Sequence, residues 1–495
     1  MSSEQAKTEA GAGIELGQHD SDRITTTSPS PDWTTEEERR ARRKIDLTIL
    51  PLLTLGMITF QLDRMNLASA LTNNFTSDIS VSQNTINLGN QLMFLGIILL
   101  EIPSNMLLQR VGASKWIPAQ VFIFGLIATM QVFLKDGAGF LASRMLLGLA
   151  EAGYIPGAIY TLSTWYTSAE IGRRTAVLFF GMFGGNAVSP LLGAGILRLH
   201  GRGGLRGWQF IFLIEGVMTM VVASLLLLVL PTSPQRPRPL FFKGLVRFSE
   251  RERYILSSRQ GKVVNQAQDQ NESTSPKRGI PLSTVKKTIL NYRRWPHFLA
   301  TACIFSTWSP LTTYTSSIIM SLGFTRIQAN ALSAIGASLT LPLVFLFATI
   351  SDKTKRRGLT VIAATSCYLV VLIVARCVLG SKPGPDKWKR FGLWTVVNAF
   401  AVGYHPVHNV WVQVNCGNWE ERSIAISMWV MSAISGLLAG TQIFRGEDSP
   451  TYLTGLVIMI AIVSSGLALA IIQEIIYLFL NARLRRRGEK TMYTA

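Results

Sequence analysis

Charge is scarce in this chain. Asp, Glu, Lys and Arg make up 16% of its 495 residues, against about 25% in soluble chains. The deficit lies in long apolar runs, which excludes a soluble domain and points to a polytopic membrane protein. Cysteine is scarce as well. Cys303, Cys367, Cys377 and Cys416 form no C-x-x-C pair and no metal-like spacing with His. Buried free thiols are the expectation, and no metal site is expected. No P-loop, nucleophile–base set or metal cluster appears, which argues against an ATP-driven pump and against an enzyme, and no cofactor is expected. The first 44 residues are polar and contain no apolar h-region. The first apolar span is therefore expected to act as the insertion signal.

What the chain does carry is positive charge, a net +19. The bases flank apolar runs, as in Arg39-Arg40-Ala-Arg42-Arg43-Lys44 and Arg483-Leu-Arg485-Arg486-Arg487. That is the positive-inside pattern of a protein in a lipid bilayer, and nucleic acid is the weaker explanation.

Apolar runs at 45–70, 88–108, 116–134, 140–165, 175–198 and 208–230 give six spans. A basic, polar segment at 231–294 follows, and a second set stands at 296–320, 328–350, 359–379, 391–412, 424–444 and 454–480. Each run is near the roughly 20 residues that cross a bilayer. The expected fold class is all-α, with twelve transmembrane helices in two six-helix halves, 45–230 and 295–480. The segment 231–294 is expected to be a cytosolic loop, with a short helix started by the capping-box spacing of Ser249 and Glu252. A disordered tail over 1–44, ending in a short charged helix from Glu36 to Lys44, and a tail over 481–495 are expected on the same side. The basic loops Arg202–Arg206 and Lys382–Arg390 fall on the other side, so orientation rests on the termini and the central loop. Between spans one and two, Leu71–Ile86 has no Lys or Arg and holds the sequon Asn74-Phe75-Thr76. Asn74 is a candidate glycosylation site facing outward, and a second sequon at Asn271 falls in the cytosolic loop.

The stretch Ile45–Ala70 is apolar until Asp63, Arg64 and Asn66. Charges at that depth cost at least about 2.5–3.5 kcal/mol, so they face a cavity or a partner. Adjacent helical residues point about 100° apart, so Asp63 and Arg64 do not pair neatly, whereas Asp63 and Asn66 share a face. An anion-attracting Arg beside a protonatable Asp suits a transport site, and the alternative is a structural ion network. In span four, Glu151 sits among Gly148, Ala150, Ala152 and Gly153, with Arg144 two turns away on the same face. Its alternative is an ion pair with Arg144 or Arg64 that never titrates.

Two inner turns look alike. Asp352-Lys353-Thr-Lys355-Arg356-Arg357 lies between spans eight and nine, and Gln109-Arg110-Val-Gly112 between spans two and three. An acid at one helix end and bases at its neighbour can latch two helices. This pattern resembles the inter-helix loop motif of the major facilitator superfamily, with Gln109 where the family often has Asp. Six stretches in order are similar to the anion:cation symporter family of that superfamily, in its fungal allantoate permease-like branch. They are Arg43-x-x-Asp46 with Pro51 and Asp63-Arg64-x-Asn66; Glu101-x-Pro103-Ser104-Asn105; Arg144 to Pro156-Gly157; Gly207-Trp208 to Glu215-Gly216; Trp411-x-x-x-Asn415-x-Gly417; and Gln442-Ile-Phe444-Arg445 to Tyr452. The departures are Ser435-Gly436, where Asn-Gly is expected, and His405-Pro406-Val-His408-Asn409 in span ten.

The resemblance implies proton coupling by Asp63 and Glu151 and a substrate carboxylate met by Arg64. Arg64 suits that role because its planar fork makes two parallel charge-assisted hydrogen bonds. Asn66 and Arg144 join the candidate substrate site from the first half. The second half offers Trp308, Tyr314, His405, His408, Asn409 and Trp411, each of which packing alone can also explain. Glu101 and Glu215, near span ends, read as residues that hold helices in register. Arg110, Asp352, Lys353, Arg356 and Arg357 form the candidate loop latch. The leading expectation is a monomeric, proton-coupled transporter of a small organic anion in the plasma membrane. The competitors are an exporter of an anionic secondary metabolite and a non-transporting nutrient sensor.

Overall fold

The computed structural model describes residues 32–240, 247–268, 282–381, 386–417, 419–488 and 493–494. The tail before residue 32 and Asn271 lie outside the described residues. Among the described residues all regular structure is helical.

Six spans form the first half. They are Thr35–Ala70, Gln83–Val111, Ala113–Met130, the pair Gly137–Glu151 and Tyr154–Trp165, Ser168–Ile196, and Gly207–Val229. The second half is Trp295–Ser321, Arg326–Thr354, Arg357–Leu379, the pair Lys387–Phe400 and His405–Val414, Trp419–Gly440, and Leu453–Arg486. Ten are long and apolar enough to cross a membrane by length and hydropathy alone. The seventh falls short because of its Ser and Thr content, and the tenth because it is broken. Side-chain caps start several spans: Ser82 accepts from Thr85 N, Asp136 from Gly139 N, and Thr325 with Gln328 forms a capping box.

Three boundaries differ from the apolar runs. The charged segment before Ile45 is no separate helix. Span one starts at a capping box between Thr34 and Glu37 and runs unbroken through it. Its bases are held at that end, Arg42 by Glu170 at 2.8 Å and Lys44 by Glu252 at 2.7 Å, while Arg174 clasps both oxygens of Asp46 at 3.0 Å. Burial opposes ionisation of Glu252, but Lys44 and the Ser249 N–H overcome it and hold the carboxylate below its usual range. Glu252 belongs to the central-loop helix Glu250–Gln268, whose Ser249–Glu252 capping box forms as expected. At the other end of the chain, span twelve runs on to Arg486. Tyr493 and Thr494 then return to it: Asn481 and Asn415 each exchange two backbone-directed hydrogen bonds with them, and Tyr493 stacks on Tyr477.

The third difference is that spans four and ten are both broken. These are the fourth helices of the two halves, and discontinuous helices at matching positions commonly mark a transporter's binding site. Span four breaks at Ala152 and Gly153, where Gly153 takes φ +82°. Only glycine adopts that conformation without strain, and a Cβ there would lie 2.7 Å from Ser104 Oγ. Span ten restarts at His405 with Pro406 in its first turn, where a missing N–H costs nothing.

Close helix packing uses small residues. A Cβ on Gly148 would stand 2.0 Å from Met93 O, and one on Gly440 would stand 1.9 Å from Ser306 O. These glycines let spans two and four, and seven and eleven, meet backbone to backbone. The halves touch through spans one and seven, two and eleven, and five and eight. Their polar contacts gather at the end that carries Asn74. Tyr314 Oη donates to Asn87 Oδ1, and Asn87 Nδ2 donates to Phe444 O at 2.9 Å. Asn330 Nδ2 reaches Thr72 Oγ1 at 2.8 Å, and Asn90 Nδ2 reaches Thr313 Oγ1 at 3.2 Å. Tyr314, a cavity candidate from sequence, belongs to this seal. Cys367 and Cys377 are exposed on the helical bundle rather than buried, and Cys416 is buried.

Candidate functional site

Below the seal, a partly open cavity lies between the halves. Span one contributes Phe60, Gln61 and Arg64, span two Asn90 and Glu101, and span four Arg144 and Glu151. The facing wall includes Phe305, Trp308, His405 and Trp429.

Arg64 and Glu151 are brought together. Arg64 Nε donates to Glu151 Oε2 at 2.7 Å, with the side chains 15% and 0% exposed. The guanidinium carbon lies 4.1 Å from the centre of the Phe60 ring, so a cation–π contact steadies its plane. Glu151 is the last residue before the break in span four. The break frees backbone groups, and two neighbouring spans satisfy them. Gln120 Nε2 donates to Ala150 O at 3.1 Å and to Ala152 O at 2.5 Å, and Glu101 Oε2 accepts from Gly153 N at 2.9 Å. Glu101 thus holds the hinge beside Glu151, a role its place near a span end concealed. Gln120 was missed altogether; its only signal was a lone amide inside an apolar run.

Arg144 lies at the cavity, 1% exposed, with Nη2 donating to Asn90 Oδ1 at 2.6 Å. Its Nε and Nη1 are buried without a hydrogen-bond partner among the described residues. Trp308 and His405 line the wall as expected. His405 is ringed by Trp429, Phe305, Phe179 and Phe183, with centroids at 4.7, 5.0, 6.2 and 6.2 Å.

Other candidates fall elsewhere. Asp63 and Asn66 are fully buried and off the cavity wall. Asp63 instead has Glu215 and Thr219 of span six among its neighbours. Asn409 bonds Gln413 one turn on, also off the wall. Trp411 gives its indole N–H to Thr494 O at 2.8 Å. His408 is completely buried in a chain that crosses the second half. Trp429 Nε1 donates to His408 Nδ1 at 3.1 Å. An indole N–H can only donate, so the His408 proton sits on Nε2 and goes to His297 Nδ1 at 3.1 Å. His297 Nε2 in turn meets Tyr477 Oη at 3.0 Å. In the loop motif, Arg357 at the start of span nine lies 3.6 Å from Asp352 at the end of span eight. Arg110, Lys353 and Arg356 are exposed.

A sequence profile described as Major Facilitator Superfamily matches residues 53–439. The chain is 27% identical over 462 residues to an uncharacterized transporter of Saccharomyces cerevisiae, covering 92% of this chain and 83% of that protein. It is 30% identical over 392 residues to a putative tartrate transporter of Agrobacterium vitis, covering 75% and 85%. Among solved structures, a bacterial homolog of the human lysosomal transporter Spinster superposes with a TM-score of 0.63 at 16% identity, over 90% of this chain and 98% of that one. A twelve-span bundle broken at matching helices, a cavity between its halves and these matches agree: the chain belongs to the Major Facilitator Superfamily and is a transporter, not an enzyme.

Proposed function

We propose that the chain is a proton-coupled symporter of a small organic anion, of the anion:cation symporter kind and its allantoate permease-like branch. One observation carries the reading. Arg64 is anchored through Nε, while its two terminal nitrogens have no protein partner among the described residues and the side chain lines the cavity. That leaves a planar fork free for a carboxylate. The putative tartrate transporters among the relatives fit an organic anion.

The pair also supplies a coupling rule. An anion on Arg64 competes with Glu151 for the same positive charge. A carboxylate that loses its counter-charge in a low-dielectric site favours its protonated form. Anion and proton therefore load together, and the loaded site carries no excess charge when the halves rock. The Asn87–Tyr314–Phe444 seal opens as the opposite end closes, in the alternating access of two halves.

Proteoliposomes holding the purified protein test this. A panel of labelled organic acids is offered with the inner side more alkaline. Concentrative uptake of at least one acid, abolished by a protonophore, is expected. Uptake that equilibrates and ignores the protonophore with every acid transported would leave a uniporter and sink the coupling.

The termini face the cytosol of the cell and the protein resides in the plasma membrane, on this reading. Asn74 is exposed at the far end, on the tight turn before the short helix Phe75–Asp78. In a eukaryotic host, deglycosylation should sharpen and speed the wild-type band on a gel and leave Asn74→Gln unchanged. A shift that survives Asn74→Gln and vanishes with Asn271→Gln would invert the topology.

A further inference from the structure

We infer that the cavity takes a monocarboxylate with an aromatic or branched apolar body, its head on Arg64 and its body on the wall of Phe305, Trp308, Trp429 and Ile434. This rests on the anion-reading role proposed for Arg64.

The cavity is one-sided. Both cations that line it, Arg64 and Arg144, come from the first half. The opposite wall carries no Lys, Arg, Asp or Glu among its lining residues, and beyond the aromatic groups it adds Val430, Ile434 and Leu437. His405 on that wall is set among four aromatic rings, and its Nδ1 is buried with no partner. No carboxylate on the wall could balance an imidazolium there, so the residue adds no charge to that side.

The charge count fits one anionic group. The lining holds two arginines and two carboxylates, Glu101 and Glu151. One proton on Glu151 leaves a single positive charge, which one carboxylate balances. The second carboxylate of a tartrate-like dianion would need Arg144. That side chain is 1% exposed, with Nη2 held by Asn90 and with Nε and Nη1, unpartnered among the described residues, buried away from solvent. Pointed the other way, the second carboxylate would be desolvated against indole and phenyl rings without a partner.

Hydroxyl recognition is also poorly provided. Thr312 and Thr313 stand on the second-half side of the cavity, but both hydroxyls already donate to Ser309 O, at 2.8 and 3.1 Å. A sugar acid would find there the Ser309 hydroxyl and the unpartnered His405 Nδ1, fewer polar partners than a polyol carries. A flat or branched apolar body finds the partially exposed Trp308 face and the aliphatic groups beside it.

The experiment is isothermal titration of the purified full-length protein in detergent with three probes: phenylacetate, its uncharged isostere phenylacetamide, and L-tartrate. Phenylacetate is expected to bind at least tenfold tighter than either other probe. Trp308→Ala should weaken phenylacetate at least fivefold, with Trp308→Phe recovering most of it and both variants eluting as wild type on gel filtration. Tartrate binding tighter than phenylacetate, yet lost in Arg64→Ala, overturns the apolar-body inference and leaves the anion reading standing. Phenylacetamide binding as well as phenylacetate overturns the anion reading itself. No heat with any probe, or no effect of Trp308→Ala on phenylacetate, overturns the inference as well.

Discussion

Arg64→Ala should abolish concentrative uptake and remove most anion binding. An anion entering a desolvated cavity must be neutralised there, and an unpaired charge costs several kcal/mol even after relaxation. Truncating one partner of a buried, hydrogen-bonded charge pair costs about 2–5 kcal/mol, or roughly 30- to 5,000-fold in affinity. The variant also leaves Glu151 without its only ion-pair partner among the described residues, and that carboxylate is fully buried. Part of the loss could therefore be damage to the site rather than loss of a ligand contact. The double variant Arg64→Ala with Glu151→Gln separates the two, because the neutral amide needs no counter-charge. Binding should stay lost in the double variant if Arg64 meets the substrate directly. Arg64→Lys keeps the charge and loses the fork, so affinity should fall without vanishing. A lysine variant with wild-type affinity would mean that the site reads charge alone. An alanine variant with wild-type affinity would make Arg64 structural and turn attention to Arg144, whose Nε and Nη1 lack partners.

The spans were legible in sequence because a helix that crosses a bilayer must be a long apolar run with its backbone bonded internally. The two halves were legible for the same reason, from six runs on each side of one basic loop. The faces were harder. Helical geometry correctly put Asp63 and Asn66 together and Arg64 apart. It did not say which face turned to the cavity, since that depends on where spans two, four and six stand. The cavity side proved to be Arg64's, and Asp63 and Asn66 are buried off it, Asp63 with span six among its neighbours.

The break in span four was not legible at all. Gly148 through Gly157 reads as a run of small apolar residues that suits a close-packed helix, and Gly148 is used in that way. What stabilises the break is Gln120 on span three and Glu101 on span two, more than thirty positions upstream in one case and fifty in the other. No local pattern reports such a pairing. The same holds for His297, in the first turn of span seven. Its place beside His408 and Tyr477 arises only when spans seven, ten and twelve are packed. Span ten's histidines illustrate the cost of reading polar residues in a span as ligands. His405 does face the cavity, but His408, one turn on, is consumed by protein partners on both ring nitrogens.

Glu151→Gln should uncouple the transporter. Glutamine keeps an oxygen that can accept from Arg64 Nε, so the 2.7 Å contact and the break that follows it can persist. It cannot gain or lose a proton between the two open states, and energy enters a symporter only through a group whose protonation differs between them. Accumulation against a gradient should therefore fall to equilibration, while exchange of labelled for unlabelled substrate across the membrane stays within about threefold of wild type, because a permanently neutral side chain resembles the loaded form. The pH dependence should change with it. Wild-type uptake into vesicles held near neutral pH declines as the outside is raised above about 7, since fewer protons load from that side. The variant's exchange should be flat over the same range. If Glu151 were only an anchor for Arg64, the variant would bind substrate more weakly and still concentrate it in proportion to the imposed proton gradient. Coupled accumulation in Glu151→Gln would thus move the proton-carrying role to another buried carboxylate. Asp63 would be the one to test first, because it lies among the electrostatic neighbours of Glu151 and no cation pairs with it among the described residues.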